Sequence, residues 1–242
     1  MFGYIWHTIF FDPVYNTLIF FIDAVPGGDV GIAIILTTVF VKVILLPLSI
    51  KAAKTQVAMR EIEPKLKELK EKVTDKQKQA EAMMGLYKEA GINPFASILL
   101  MLLQIPVIIA LYLSVSNGGG IALPEINIDL LYSFIPQPET ITMLFFGFVD
   151  IAQKSLPLAL LAGGTQFIHA HLSIPKPPPR DPDAKADMKA DFARSMQLQM
   201  RYVMPVILTI FAYTISAAIA LYFVVSNIVS IAQEFVVKKY RV

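Results

Sequence analysis

Long apolar segments dominate this chain of 242 residues and restrict the folds that it can adopt. A membrane helix needs about 20 mostly apolar residues. The segments 30–50, 95–116 and 155–172 meet or approach this length, and 202–237 is longer still and has no basic residue. Only 17% of all residues are charged, against about 25% in an ordinary soluble domain. The sequence therefore predicts an all-α integral membrane protein.

The basic residues are distributed unevenly, and their distribution predicts the orientation. Of the 21 Lys and Arg residues, 19 fall in the segments 51–93, 173–201 and 238–242, whereas 1–29 and 117–153 contain none. Cytoplasmic segments next to membrane helices carry an excess of Lys and Arg. We therefore expect a multi-pass protein of the plasma or inner membrane, with its N-terminus outside and its C-terminus in the cytoplasm.

The segment 202–237 is too long for one span, and both of its flanks are basic. It is expected to cross twice, with a turn near Ser216, because one long tilted helix would leave a basic end outside. The total is five transmembrane helices. The predicted organisation is an outer segment 1–29, TM1 30–50, a cytoplasmic hairpin 51–93, TM2 94–116, an outer loop 117–154, TM3 155–172, a cytoplasmic Pro-rich loop 173–199, TM4 200–215, TM5 217–237 and a tail 238–242.

Two outer segments are apolar but short. Segment 12–25 begins with Asp12-Pro13, which is a typical helix start, and Pro26 follows it. We expect an amphipathic helix that lies in the outer interface, since a sixth span here would reverse the charge asymmetry. Segment 141–152 is predicted to be a second interfacial piece.

Apolar residues in 51–93 repeat at steps of three and four, which predicts two helices that each carry one seam. They are Met59, Ile62, Leu66, Leu69 and Val73 in the first helix, and Ala80, Met83, Tyr87 and Ala90 in the second. Thr74 to Gln77 fits a capping box, and Pro64 is expected to start or kink the first helix. We expect an antiparallel hairpin, with two helices lying on the membrane surface as the alternative.

Lys42 is a charged residue well inside the first expected span, about 18 Å from its outer end at about 1.5 Å per residue. A charge at the bilayer centre costs about 2.5–3.5 kcal/mol, so Lys42 is a functional candidate, although its long side chain can also reach the headgroups. Polar residues of the spans could line a wet cavity with it, although each alone is more often a packing contact. These residues are Thr38, Gln104, Ser114, Thr165, Gln166, Thr209, Thr214, Tyr222, Ser226 and Asn227.

The sequence lacks the residues and motifs that several kinds of catalysis and metal binding require. The chain has no Cys and no P-loop, HExxH or GxSxG motif, and its spans contain few acidic residues. His169 and His171 have no nearby carboxylate in the sequence that would complete a metal site. We therefore expect no enzyme activity, no cofactor and no metal.

Three stretches resemble the YidC/Oxa family of membrane protein insertases. They are VFVKVILLPLSIKAAK (39–54), MMGLYKEAGINPFASILLMLLQIPVIIALY (83–112) and MPVILTIFAYTISAAIALYFVVSNIVSIAQ (204–233). The family's fold is a five-helix core with a cytoplasmic hairpin and an outer interfacial helix. Its groove carries a basic residue that is usually Arg, and the matching residue here is Lys42.

The resemblance implies an insertase or chaperone that moves nascent membrane proteins through a hydrophilic, laterally open groove without ATP. The groove would contain Lys42, Thr38, Gln104, Thr165, Gln166, Thr209, Tyr222 and Ser226. A recruitment hairpin would use Met59, Leu66, Leu69, Met83 and Tyr87. Implied partners are nascent membrane proteins and lipid, then the Sec translocon, the signal recognition particle receptor and the ribosome, with no specific nucleic acid. The alternative function is a small-solute transporter or channel with Lys42 as an anion site.

Overall fold

The computed structural model describes residues 2–73, 75–91, 93, 95–117, 120–174 and 194–240. The chain divides into two compact units, one of Met1–Lys42 with Pro106–Glu234 and the other of Val43–Ile105 with Phe235–Val242. Most of the predicted Pro-rich loop lies outside the described residues.

Helices account for most of the described residues, which confirms the predicted all-helical class. They are α1 (Phe2–Ile5), α2 (Asp12–Ala24), α3 (Val30–Ile44), α4 (Leu46–Lys72), α5 (Lys76–Glu89), α6 (Phe95–Ser116), α7 (Leu156–Ser173), α8 (Met204–Ile215) and α9 (Ala217–Tyr240). A π-helical segment joins α1 to α2, and a second one precedes α8. Within the described segments there is one small sheet, an antiparallel hairpin of β1 (Leu144–Phe145) and β2 (Val149–Asp150).

Three helical stretches of the described chain are long and apolar enough to cross a membrane: Gly3–Ala24, Arg194–Ile215 and Ala217–Val237. Helix α3 and the first part of α4 pass the same test as a pair. The stretch Gly3–Ala24 is longer than the predicted interfacial helix because α1 and the π-helical segment extend α2 towards the N-terminus. The count of five spans and the interfacial helix therefore stay predictions.

The first predicted span, 30–50, is interrupted at Leu45, where α3 has ended and α4 begins one residue later. Pro47 lies in the first turn of α4. Inside a continuous helix its ring would clash with the carbonyl four residues earlier, whereas in a first turn it is tolerated. Helix α4 then continues to Lys72, so the first helix of the predicted hairpin begins at Leu46 and not at Pro64, which lies inside it.

Helices α4 and α5 belong to the second unit and pack against each other through their apolar seams. Ile62 and Leu66 of α4 are buried, and Met83, Leu86 and Tyr87 of α5 pack against them. Part of the predicted seam therefore lies at the contact between the two helices, whereas Ala80 and Ala90 are exposed.

The start of α5 differs by one residue from the predicted capping box. Thr74 lies outside the described residues, and Asp75 is the N-cap. Its carboxylate accepts hydrogen bonds from the backbone N–H groups of Gln77 and Lys78, at 2.8 and 3.3 Å. Such a cap stabilises a helix by about 1 kcal/mol because it satisfies donors that have no partner within the helix.

In the first unit, the segment 142–153 supplies backbone partners to two helix starts. Thr142 donates to Gly28 and accepts from the N–H of Val30, the first residue of α3. The carbonyls of Ile151 and Gln153 accept from the N–H groups of Ala218 and Ala217 at the start of α9, at 3.0 and 2.7 Å. The first N–H groups of a helix have no partner inside it, so this segment completes both helices.

Asp29 connects the start of α3 to the β-hairpin. One carboxylate oxygen accepts from the N–H of Ile32 at 3.0 Å and so caps α3. The other accepts from the N–H of Phe146, in the turn between β1 and β2, at 2.9 Å. A single buried carboxylate therefore fixes two backbone segments that are far apart in the sequence.

Asn16 ties α2 to the loop that follows α6. Its side-chain amide donates to the carbonyl of Leu130 at 2.8 Å, and its amide oxygen accepts from the N–H of Tyr132 at 2.7 Å. The hydroxyl of the neighbouring Tyr15 accepts from the N–H of Asn127 at 3.0 Å. These bonds satisfy loop backbone that would otherwise be buried without partners.

Small residues bring helices of the first unit close together. Helix α9 begins with Ala217, Ala218 and Ala220, all fully buried. Gly163 of α7 faces α8 so closely that an added Cβ would overlap the hydroxyl of Thr209 and lie 3.2 Å from the carbonyl of Pro205. Small residues at such crossings let membrane helices gain van der Waals contact.

Replacing Gly163 by alanine is expected to destabilise the protein by about 1–3 kcal/mol, because the new methyl group forces α7 away from α8. Gly164, the next residue, is the matched control, since an added Cβ there meets nothing within 4 Å. Thermal unfolding in detergent should show a lower Tm for Gly163→Ala and an unchanged or higher Tm for Gly164→Ala. Equal Tm values for the two variants would contradict this packing.

Candidate functional site

Lys42 lies near the end of α3 and contacts α9. Its Nζ donates a hydrogen bond to the hydroxyl of Ser230 at 3.2 Å. Ser230 is the one hydrogen-bond partner of Lys42 within the described part of the chain. A lysine ammonium has three donors, so two remain for water or for a carboxylate.

The surroundings of Lys42 on its own helix are apolar. Val39, Phe40, Val43 and Ile44 are all exposed hydrophobic residues, as expected of a helix surface that faces lipid. The half-buried ammonium is thus a charge at the edge of an apolar surface.

A polar stripe on α9 provides the partner for Lys42. Tyr222, Ser226, Ser230 and Glu234 follow one another at steps of four, which places them on one face of the helix. Sequence reasoning identified the first two but missed Ser230, although continuation of the same spacing could have found it.

Glu234 and Ser173 form a second polar contact near Lys42. The hydroxyl of Ser173, at the end of α7, donates to a Glu234 carboxylate oxygen at 3.1 Å. His169 lies one turn earlier on α7 and is half-buried. The ends of α3, α7 and α9 therefore share a region with charges of both signs.

Asn227 joins α7 to α9 beside this region. Its side-chain amide donates to the hydroxyl of Thr165 at 3.2 Å and to the carbonyl of Ala162 at 3.3 Å. The Thr165 hydroxyl itself donates within α7, to the carbonyl of Leu161 or Ala162. Thr165 thus takes part in a contact between helices.

Other predicted groove residues are buried or form hydrogen bonds within their own helices. Thr38 is only 2% exposed, and its hydroxyl donates to the carbonyl of Ile34 in its own helix at 2.7 Å. The hydroxyl of Thr209 donates within α8 to Pro205 at 2.9 Å. Tyr222 and Ser226 are both buried.

Two predicted groove residues are half-buried: Gln166 on α7 and Gln104 on α6. Gln166 belongs to the same unit as Lys42, and Gln104 belongs to the second unit. Membership of all these residues in one groove stays a prediction.

The predicted recruitment residues lie on the α4–α5 seam. Leu66 is buried, Met59, Met83 and Tyr87 pack against the Ile62–Leu66 cluster, and Leu69 is half-buried. Their first role is to hold the two helices together. The exposed apolar side chains of this pair include Val57 and Met84 instead.

Several helices are long and apolar, and loop carbonyls accept hydrogen bonds from the N–H groups at the starts of two of them. A lysine lies at a contact between two helices. These features define a multi-pass α-helical membrane protein with a polar site among its helices. The sequence model of the family described as 60Kd inner membrane protein matches residues 21–242. The chain belongs to this family, as its resemblance to the YidC/Oxa insertases predicted.

Relatives in several bacteria carry the same name. The chain is 32% identical to a protein named membrane protein insertase YidC from Oceanobacillus iheyensis, over 97% of this chain and 84% of the relative. It is also 32% identical to the protein of that name from Clostridium tetani, over 88% of this chain and 84% of that protein. The match to the protein from Shewanella pealeana, at 34% identity, covers 98% of this chain but only 37% of that one.

A solved structure shares the fold. The chain is similar to a crystal structure described as an active YidC insertase with its first transmembrane domain resolved, with a TM-score of 0.55 and 20% sequence identity. The similarity covers 93% of this chain and 46% of that chain, so this chain spans about half of that protein's length.

The contact between Asn227 and Thr165 should contribute measurably to the stability of the α7–α9 pair. In a double-mutant cycle of Asn227→Ala and Thr165→Val, we expect a coupling energy of about 0.6 kcal/mol, the average for hydrogen bonds between membrane helices, and at most about 1.7 kcal/mol. Thermal or chemical unfolding in detergent measures it.

Thr214→Val is the matched control, because the Thr214 hydroxyl donates within its own helix to Phe211. A double-mutant cycle of Thr214→Val and Asn227→Ala should give a coupling energy near zero. A coupling near zero for the Thr165 cycle would mean that the contact does not hold the helices together.

Proposed function

We propose that this chain is a membrane protein insertase that moves nascent membrane proteins from the cytoplasm into the bilayer without ATP. Its family and the names of its relatives at 32% identity support this function. The relatives compared give no support to the transporter alternative. The proposed working residue is Lys42.

One observation carries the role of Lys42: it is a charge in an apolar helix with one acceptor, Ser230, in the described chain. An ionisable residue inside a membrane span is costly and is retained where it has a function. The two remaining donors can bind a carboxylate of an entering protein, and a hydrogen bond to a charged group contributes about 1.5–3 kcal/mol.

The barrier to insertion is the transfer of the substrate's polar outer tail across the hydrocarbon. Each unsatisfied polar group in the bilayer core costs several kcal/mol. A water-filled site at the depth of Lys42 would shorten the distance that the polar tail must cross through hydrocarbon. The positive charge of Lys42 would attract acidic residues of that tail. At 4 Å, two opposite unit charges attract by about 4 kcal/mol at an effective dielectric constant of 20.

An exposed apolar face on α8 provides a path to lipid in the unit that contains Lys42. Val206, Ile207 and Ile210 form this face. A substrate helix that moves along it would bury its own apolar surface in lipid, which provides about 25 cal/mol per Å². This burial would drive insertion without a nucleotide.

In this proposal α4 and α5 are the cytoplasmic hairpin that first meets the nascent chain. The charge asymmetry supports a cytoplasmic position, together with five spans, an outer N-terminus and an inner C-terminus. Val57 and Met84 are exposed apolar side chains that a substrate could contact. The Sec translocon, the signal recognition particle receptor and the ribosome are candidate partners of the same surface.

The function is tested by complementing an insertase-depleted bacterium and scoring the insertion of a single-span substrate with an acidic outer tail. Wild type and Lys42→Arg should insert it, because both carry the charge. Lys42→Ala should reduce insertion about tenfold or more, as expected from the loss of a charge-assisted hydrogen bond, and Lys42→Glu should reduce it further by repulsion.

Lys51→Ala is the matched control, since it removes an exposed lysine from the first turns of α4. Membrane levels of every variant are measured in parallel. If wild type inserts the substrate and Lys42→Ala does equally well, the role of Lys42 is wrong although the insertase function stands. If wild type fails in a compatible host, the function itself is contradicted.

A further inference from the structure

The tip of the β-hairpin exposes three large apolar side chains. Residues 140–149 contain no charged residue. Phe146 is 63% exposed and Phe148 is 76% exposed, and Leu144 is exposed beside them. An exposed cluster of this kind in a protein marks a surface that meets another apolar phase.

The hairpin is held firmly below its tip. Leu144 pairs with Asp150 and Phe145 pairs with Val149. The ring of Phe145 is buried against Gly31 in the first turn of α3, where an added Cβ would overlap it. The tip therefore projects from a fixed base.

The turn itself has an unusual backbone. Phe146 has a φ of 49° and Gly147 has a φ of 81°. A bulky residue disfavours this left-handed region, in which asparagine or glycine would be the ordinary choice. The hydrogen bond from the Phe146 N–H to Asp29 holds it there. Strained residues of this kind are found where the side chain has a function.

The hairpin lies at the edge where three helices begin. Its flanks form the backbone hydrogen bonds, described above, to the starts of α3 and α9. Helix α7 begins shortly after it, at Leu156, and Leu156, Leu160 and Leu161 are all exposed apolar side chains. The ends of membrane helices lie at the interface between hydrocarbon and water, where aromatic side chains are enriched. The flank of the hairpin is bonded to the start of α9, which is one of the stretches long and apolar enough to cross a membrane, so the hairpin lies at the depth of the interface.

We propose that Leu144, Phe146 and Phe148 form a lipid anchor that inserts into the interfacial layer of the leaflet at the N-terminal ends of α3, α7 and α9. Lipid is the occupant because residues 140–149 are uncharged and the flank of the hairpin is bonded to the start of α9, a helix long and apolar enough to cross a membrane. A second protein could cover such a patch, and the experiment below distinguishes that case.

The anchor would also set the depth of Lys42, a consequence that rests on the proposed function. Asp29 couples the hairpin to the first turn of α3, and α3 is continuous from Val30 to Ile44. Twelve residues at about 1.5 Å each place Lys42 about 18 Å along the helix from its anchored end. A fixed start of α3 therefore fixes the level of the ammonium in the bilayer.

Tryptophan fluorescence tests the anchor in the purified full chain. Trp6 is the only tryptophan, so Trp6→Phe gives a silent background, in which Phe148→Trp and, separately, Leu144→Trp act as reporters. Lys78→Trp, on the exposed polar side of α5, is the reference for water. The variants are reconstituted in phosphatidylcholine vesicles that contain lipids brominated at a shallow or a deep acyl position, and iodide is the aqueous quencher.

Both hairpin reporters are expected to lose emission to the brominated lipids, more to the shallow bromine than to the deep one. Iodide should quench them several-fold less than the Lys78→Trp reference. Quenching by iodide and not by brominated lipid would place the tip in water and overturn the anchor. Protection from both quenchers would mean that protein covers the tip, which also overturns it. Insertion activity is not needed for this experiment, so its failure leaves the proposed function untouched.

Discussion

Backbone groups at helix ends must find partners before helices can be packed in a membrane, and the segment 142–153 provides them at two ends. Its carbonyls complete the starts of α3 and α9, and its hairpin is fixed by the carboxylate of Asp29. An unsatisfied group in hydrocarbon would cost several kcal/mol. The completed start of α9 is also the fully buried part of that helix, with Ala217, Ala218 and Ala220.

The same arrangement puts a charge where it can act. Helix α3 is continuous from its cap at Asp29 to Lys42, whose ammonium reaches Ser230 on α9. One hydroxyl satisfies one of three donors, so the site retains capacity for a carboxylate. The cost of holding a cation in an apolar helix is thus offset only in part within the described chain, and an acidic substrate tail would supply the remaining contacts.

The sequence predicted the helical class, because apolar length can be counted directly, and the family, because three stretches resemble it. The role of Lys42 stays a prediction. It predicted a turn near Ser216, and the structure has a helix break at that residue. It did not predict the break at Leu45, because Pro47 lies inside a long apolar run. The contacts of Asp29 with Phe146 and of Lys42 with Ser230 were not predicted, because each joins residues more than 100 positions apart. The β-hairpin was not predicted, because the segment 141–152 was interpreted as an interfacial piece.

Lys42 is proposed to act on the substrate through its charge. Reversing the charge at position 42 and, separately, the charge of the substrate's tail tests this role. Purified wild type and Lys42→Glu are reconstituted in vesicles without a membrane potential, and insertion of two substrates is compared, one with an acidic outer tail and one with that tail's acidic residues replaced by lysine. Wild type should favour the acidic tail, and Lys42→Glu should favour the basic tail. If both proteins rank the two substrates in the same order, the charge at position 42 does not select the tail, and the proposed role of Lys42 is wrong.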